Sequence, residues 1–182
     1  MTLRFQSLWW LLLSMPHFFS LHAQPFHTKA RIEDRAFDQV VRKYLDFSVP
    51  VIDVDSLYRF IDSDVKDIYI LDARARDEYE VSRIPHAQYI GYPRIDKAVL
   101  DHIPKDSKVI VYCSIGYRSE KIGEQLRQMG YRRVYNLYGS IFEWINRGYP
   151  VVDLRGDTVH RVHTYNRKWS RWVFNPAYEK VY

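Results

Sequence analysis

The residue best suited to covalent chemistry is Cys113, the only cysteine among the 182 residues. It follows the apolar run 108–112 and opens a short polar segment. That segment reads Cys113-Ser114-Ile115-Gly116-Tyr117-Arg118-Ser119. A single cysteine excludes an intrachain disulfide and a cysteine cluster for zinc or iron–sulfur. Cys113 is therefore either an inert buried thiol or a working nucleophile.

The residue types after Cys113 favour a nucleophile. A loop between a buried strand and a helix can curl so that its backbone N–H groups converge and bind an anion. Gly116 permits the backbone angles of such a curl, and the following helix N-terminus adds positive potential. Arg118 adds a charge that can donate two hydrogen bonds to an anion. We expect a thiol with a lowered pKa that accepts or holds anionic groups. A packed core cysteine is the alternative.

Apolar periodicity predicts the elements that position this loop. Strands are predicted at 51–54, 68–71, 88–90, 108–112 and 134–137, and helices at 30–47, 57–61, 76–81, 119–129 and 140–146. Asp55-Ser56 is the predicted N-cap of the second helix. The alternation of strand and helix predicts an α/β domain with a largely parallel sheet. Ligands of such sheets bind beyond the carboxyl ends of the strands, where Cys113 lies.

Four segments in order resemble the rhodanese (sulfurtransferase) superfamily over about residues 50–153. They are Leu71-Asp72-Ala73-Arg74 with Asp77-Glu78-Tyr79, then Ile84-Pro85-His86-Ala87, then 111–119, then Gly139-Ser140 with Trp144 and 148–151. The resemblance implies an α/β rhodanese-like fold, a five-stranded parallel sheet flanked by helices on both faces. An N-terminal helix and a C-terminal extension are expected beside it. No metal and no organic cofactor are implied.

The resemblance also implies a reaction. Cys113 takes a sulfane sulfur from a small anionic donor such as thiosulfate, becomes a persulfide, and passes the sulfur to a thiol or protein acceptor. The backbone amides implied to cradle the persulfide are those of Ser114, Ile115, Gly116, Tyr117 and Arg118. The side chain of Arg118 is implied to bind the anionic oxygens of the donor.

Other residues are expected to support the loop. Asp72 and Arg74 follow a strand near the expected site, and a structural ion pair is favoured over a direct catalytic role. Ser119 follows Arg118 and is a further supporting residue. The family pattern Gly-His-Ile-Pro-Gly-Ala is here 82–87, with Arg83 in place of His and His86 in place of the second Gly. These departures affect positions that are chiefly structural in the family.

The length of the loop separates two classes of enzyme. Arg118 is five residues after Cys113, whereas cysteine phosphatases that share the fold generally use a loop one residue longer. The shorter loop favours a persulfide sulfur over a tetrahedral phosphate, and hence sulfur transfer over phosphatase or arsenate chemistry. A non-catalytic rhodanese-like binding or sulfur-sensing module in the cell envelope is the alternative.

The N-terminus has the pattern of an export signal. Arg4 precedes the apolar run 8–13, and Ala23 offers a small residue for cleavage. The run is too short to span a bilayer comfortably, so a retained membrane anchor is the alternative. The expected division is a signal peptide at 1–23, a helical segment at 24–49, the rhodanese-like domain at 50–154 and an extension at 155–182. The protein is predicted to be periplasmic or secreted.

The extension 155–182 is basic and aromatic. It holds six of the 27 Lys and Arg residues and two of the 22 acidic residues, whereas 24–154 is neutral. Its large aromatic residues are Tyr165, Trp169, Trp172, Phe174, Tyr178 and Tyr182. We expect the extension to fold back on the domain, with peripheral membrane or partner contact as the alternative. Export and a neutral body argue against nucleic-acid binding.

Overall fold

The computed structural model describes residues 30–182. Its helices are α1 Arg35–Tyr44, α2 Val54–Asp62, α3 Arg76–Val81, α4 Tyr117–Gln128 and α5 Ser140–Asn146. Its strands are β1 Val51–Ile52, β2 Ile68–Asp72, β3 Gln88–Tyr89, β4 Lys108–Tyr112, β5 Arg133–Leu137, β6 Val151–Val152, β7 Thr158–Val159, β8 Arg161–His163 and β9 Glu179–Val181. Two 3₁₀ turns lie at Lys97–Leu100 and Ser170–Trp172. Within this range no helix is long and apolar enough to cross a membrane. The predicted signal peptide lies outside the described residues.

The first five strands form one parallel sheet in the order β1-β5-β4-β2-β3. This confirms the predicted five-stranded parallel sheet. β4 lies in the middle and pairs with β2 and β5. The register sets Asp72 beside Tyr112, so both strands end together. Cys113 therefore leaves the centre of the sheet at its carboxyl edge.

Helices cover both faces of this sheet, as predicted. Along β4, Val109 and Val111 belong to one buried cluster and Ile110 and Tyr112 to the other. The first cluster is completed by α4 through Ile122 and Leu126. The second is completed by α1, α2 and α5 through Phe37, Val41, Leu57, Ile141, Phe142 and Ile145. Residues of β4 are apolar in succession because both faces of a parallel strand are buried.

Several helix boundaries differ from the sequence prediction, and carboxylate caps explain the starts of α1 and α2. Helix α1 begins only at Arg35, because Asp34 accepts a hydrogen bond from the N–H of Phe37 at 2.7 Å. Helix α2 begins at Val54, because Asp53 accepts from the N–H of Ser56 at 2.7 Å. The predicted cap at Asp55-Ser56 is therefore wrong, and the predicted strand 51–54 is shortened to 51–52.

The C-terminal extension packs against the domain. Val162 and Val173 are buried in the same cluster as α1 and α5. The ring of Trp172 stacks on that of Phe37, with centroids 5.7 Å apart. β7 pairs with β6, and β8 pairs with β9. The aromatic residues of the extension thus extend the hydrophobic core beyond the five-stranded sheet.

Candidate active site

Cys113 is fixed at the end of β4 by the start of α5. The residue is 1% exposed. Its N–H donates to Oγ of Ser140 at 3.1 Å, and its carbonyl accepts from the N–H of Ile141 at 3.2 Å. Both backbone groups of the cysteine are thereby satisfied, and the position of the sulfur depends on α5 as well as on β4.

The loop after Cys113 curls back onto the sulfur at Gly116. The N–H of Gly116 donates to Sγ at 3.2 Å. Gly116 has φ of 122°, a conformation that side chains strongly disfavour. A Cβ here would also lie 3.2 Å from Cδ2 of the buried Leu45. Asn136 donates to the carbonyl of Gly116 at 3.0 Å and so holds the turn.

The thiol of Cys113 has a pKa below its ordinary value. Burial raises this pKa, but four groups lower it by more than that. They are the charge of Arg118, the hydroxyl of Ser119 and the N–H groups of Ser119 and Gly116. The Ser119 hydroxyl is buried, 2.7 Å from Oδ1 of Asn136. These contacts place donors and a positive charge around one buried sulfur, which favours the thiolate.

The guanidinium of Arg118 is held by a carboxylate that the sequence analysis gave no role. Nη1 and Nη2 donate to the two oxygens of Glu78 at 2.6 and 2.9 Å. The side chains are 15% and 2% exposed. Nη2 also donates to Oγ of Ser114 at 2.9 Å, and Glu78 accepts from the N–H of Ala75 at 2.9 Å. Burial raises the pKa of Glu78, but Arg118 outweighs it and the pKa lies below the ordinary range.

This ion pair refines the role predicted for Arg118. The sequence analysis expects Arg118 to bind the donor, and in the structure much of its charge is already balanced by Glu78. Within residues 30–182, the hydrogen bonds of Arg118 use three of its five N–H groups, which leaves the Nε–H and one N–H of Nη1 for an anion. Asp77-Glu78-Tyr79 was part of the family resemblance, but the sequence analysis did not connect Glu78 with Arg118. The need of a buried cation for a carboxylate partner is the signal that could have identified it.

Asp72 and Arg74 form an ion pair in which both side chains are fully buried. Nη2 of Arg74 donates to Oδ2 of Asp72 at 2.7 Å and to the carbonyl of Ser82 at 2.6 Å. The hydroxyl of Tyr112 donates to the same Oδ2 at 2.5 Å. Within the described chain, no hydrogen bond joins the pair to the Cys113 loop. The pair braces the ends of β2 and β4 beneath the site.

The residues that depart from the family pattern have structural surroundings. His86 has φ of 64°, in the left-handed region where glycine is favoured. The guanidinium of Arg83 lies over the ring of Tyr79, 4.8 Å from its centroid. The backbone of Arg83 pairs with that of Val152. Both replacements are accommodated without a change of fold.

A pocket of about 440 Å³ opens at Cys113. From the loop it is lined by Ser114, Ile115, Tyr117 and Arg118, and from elsewhere by Tyr44, Tyr92, Tyr165 and Trp169. The structure thus brings Cys113 and four of the six residues that follow it together at one cavity. The four other aromatic residues were not predicted as site residues, because no motif marks them. In residues 30–182 no group of three or more His, Cys, Asp or Glu side chains could hold a metal ion.

Two known proteins with similar sequences are sulfurtransferases by name. A sulfurtransferase of Allochromatium vinosum is 36% identical over 105 residues, which cover 58% of this chain and 96% of the relative. The thiosulfate sulfurtransferase GlpE of Coxiella burnetii is 30% identical over 79 residues, covering 43% of this chain and 73% of that protein. These relatives support a rhodanese-type role in sulfur transfer.

The fold has solved counterparts. The BH2092 protein of Bacillus halodurans superposes with a TM-score of 0.55 at 24% identity, covering 65% of this chain and 88% of that one. The family model described as Rhodanese-like domain matches residues 53–147. That match spans just over half of the chain and contains β4, the Cys113 loop and the buried ion pairs beside it. The chain therefore belongs to the family of rhodanese-like domains, as its motifs predicted.

Proposed function

We propose that this protein is a sulfurtransferase that carries sulfane sulfur as a persulfide on Cys113. The observation that carries the proposal is the environment of the sulfur. A thiol with a lowered pKa lies at the bottom of a pocket, with the N–H of Gly116 aimed at Sγ. A core cysteine without a chemical role needs neither the pocket nor the converging donors. The sulfurtransferase relatives support the same reaction class.

The first half-reaction loads the sulfur. The Cys113 thiolate attacks the outer sulfur of an anionic donor such as thiosulfate. A bond forms between Sγ and that sulfur, the S–S bond of the donor breaks, and sulfite leaves with the electron pair. The free Nε–H of Arg118 is available to the oxygens of the donor, while Glu78 fixes the plane of the guanidinium. Arg118 thereby orients the donor at the pocket.

The second half-reaction unloads the sulfur. An acceptor thiolate attacks the outer sulfur of the persulfide, and Cys113 leaves as a thiolate. The lowered pKa of Cys113 makes it a good leaving group in this step as well as a populated nucleophile in the first. The N–H groups that stabilise the thiolate also stabilise the negative charge of the persulfide.

Mass spectrometry of the intact protein tests the proposal. Treatment with thiosulfate should add the mass of one sulfur atom, and a reductant should remove it. The Cys113→Ser variant keeps the size of the side chain and should accept no sulfur. Equal loading of both proteins would overturn the assignment. A binding or sensing module without turnover would load sulfur but release none to cyanide or a thiol.

Export is a further part of the proposal and rests on the sequence of residues 1–23. Arg4, the apolar run 8–13 and Ala23 have the order of a cleaved signal peptide. We expect the mature protein to begin near Gln24 outside the cytosol. N-terminal sequencing of protein from the native host tests this, and an intact Met1 in the soluble cytosolic fraction would contradict it.

A further inference from the structure

The pocket over Cys113 has an aromatic wall that lies largely outside the family domain. Tyr44 belongs to α1, and Tyr165 and Trp169 belong to the C-terminal extension. The family match ends at residue 147 and begins at residue 53. The Cys113 loop thus lies inside the family match, whereas Tyr44, Tyr165 and Trp169 lie outside it. It therefore bears on which substrate reaches the sulfur.

Tyr165 is held over the loop by a strained backbone. Its φ is 66°, which is uncommon for a tyrosine. The preceding Thr164 is fully buried, and its N–H donates to the carbonyl of Val181 at 2.7 Å. The Tyr165 ring faces the guanidinium of Arg118, 5.3 Å from ring centroid to Cζ. Tyr165 as a residue remains 53% exposed, so it is not covered by other parts of residues 30–182.

Trp169 and Tyr44 form a second part of the aromatic wall together. Their rings meet edge to face, with centroids 5.3 Å apart. The chain after Tyr44 is tied to α4, because the carboxylate of Glu120 accepts from the N–H groups of Asp46 and Ser48 at 2.9 and 3.0 Å. The two segments that flank the domain are therefore fixed relative to the Cys113 loop, and the wall is preformed.

The aromatic wall offers few contacts to a small ionic acceptor. Arg118 is the one charged residue among those lining the pocket, and Glu78 already pairs with it. The pocket volume of about 440 Å³ is in the range that encloses a small organic molecule. An acceptor such as cyanide would touch little of it. Aromatic rings instead offer flat apolar surfaces for stacking.

We propose that the acceptor is a small organic thiol with a flat apolar body, which stacks against Tyr165 and Trp169 while its sulfur meets Cys113. This inference rests on the proposed function and names the substrate class of its second half-reaction. The acceptor thiolate bonds to the outer sulfur of the persulfide. The Sγ–S bond breaks, its electron pair stays on Sγ, and an organic persulfide leaves.

Alkylation of Cys113 tests the pocket without any sulfur transfer. N-benzyl iodoacetamide and iodoacetamide share one reactive group, and each alkylates Sγ with loss of iodide. We measure the ratio of their second-order rate constants, corrected for the same ratio with free 2-mercaptoethanol. The variants are Tyr165→Ala and Trp169→Ala. The matched control is Tyr182→Ala, which removes a tyrosine of the same extension that is 54% exposed and does not line the pocket.

The wild type should prefer the benzyl reagent, and each pocket variant should lower the corrected ratio about threefold to tenfold, the value of one aromatic contact. Tyr182→Ala should leave the ratio unchanged. Tyr165→Ala retains a Cβ and the positive φ, so it removes the ring alone. Equal ratios in all four proteins would overturn the inference.

Discharge of the sulfur-loaded protein completes the test. Phenylmethanethiol should unload Cys113 at lower concentration than 2-mercaptoethanol, and Tyr165→Ala should raise the KM for phenylmethanethiol alone. If the wild type failed to load sulfur, the proposed function would be refuted, but the alkylation result would still show that the pocket binds an aromatic group. Normal loading with equal KM values for both thiols would remove the acceptor assignment and leave the sulfurtransferase.

Discussion

Separating Glu78 from Arg118 should destabilise the protein far more than breaking an exposed ion pair. The variants are Glu78→Gln, which keeps the shape of the carboxylate, and Arg118→Met, which keeps the aliphatic stem. Each leaves the other charge largely buried, since the side chains are 2% and 15% exposed. Removing one partner of a buried pair costs about 3–5 kcal/mol in free energy of unfolding. The Ala75 N–H and the Ser114 hydroxyl that remain on Glu78 put Arg118→Met near the lower figure.

A double-mutant cycle isolates the pair. The sum of the losses of unfolding free energy in the two single variants should exceed the loss in the double variant by at least about 2 kcal/mol. The reason is that the double variant buries no unpaired charge. Urea unfolding followed by circular dichroism gives the four free energies. Arg132 and Asp106 supply a control, since they form a pair at 2.9 Å with side chains 77% and 72% exposed. That pair should couple by less than about 1 kcal/mol. Equal coupling energies in the two cycles would refute the view that burial gives the Glu78 pair its strength.

Four further outcomes are expected. Arg118→Met should lower the catalytic efficiency with thiosulfate roughly tenfold to 150-fold, which corresponds to the loss of one charged hydrogen bond, and Arg118→Lys should recover only part of it. Steady-state rates with thiosulfate and with a neutral persulfide donor check this. Equal losses with both donors would mean that Arg118 only shapes the loop. The rate of Cys113 alkylation should rise with pH at a midpoint below that of a free thiol, because its pKa is lowered, and the midpoint should move up in Arg118→Met; an unmoved midpoint would contradict the charge effect. Gly116→Ala should lose about 1–3 kcal/mol of stability in urea unfolding, since φ is 122°, whereas alanine at Gly148, where no atom lies within 4 Å of an added Cβ, tests the cost of positive φ alone. Burial raises the pKa of Glu143 from 4.5 to about 7, so between these pH values the folded state holds a proton that the unfolded state has released. The free energy of unfolding should therefore fall by about 1.4 kcal/mol for each unit by which the pH rises between these values, and Glu143→Gln should flatten that slope.

The sequence predicted well whatever is contiguous in the chain. The run 108–112 is apolar, which predicted a buried strand. The seven residues from Cys113 to Ser119 contain the loop, its glycine turn and its cation. The position of the thiol at a strand end then followed from topology alone. These inferences needed no knowledge of distant contacts, and the sheet order and the pocket agree with them.

The sequence did not predict contacts between residues that are far apart in the chain. Glu78 lies 40 residues before Arg118, and only the fold shows that α3 directs its carboxylate at the loop. The N-cap at Asp53 was missed because Asp53, Asp55 and Ser56 are all good caps, and the choice depends on where β1 ends. Tyr44 and Trp169 meet across 125 positions without any periodic signal. Aromatic residues that build a pocket and those that fill a core have the same pattern in sequence.

The placement of the aromatic wall separates two properties, the reactivity of the sulfur and the choice of compounds that reach it. The groups around Sγ lie between β4 and α4, whereas Tyr165 and Trp169 lie on a segment that begins after the sheet is complete. On the proposed acceptor site, substitutions at Tyr165 and Trp169 would alter which compounds reach Cys113, whereas the loop groups around Sγ would stay unchanged. Because the same extension supplies Val162 and Val173 to the hydrophobic core, such differences are expected at its pocket-lining positions and not throughout the segment.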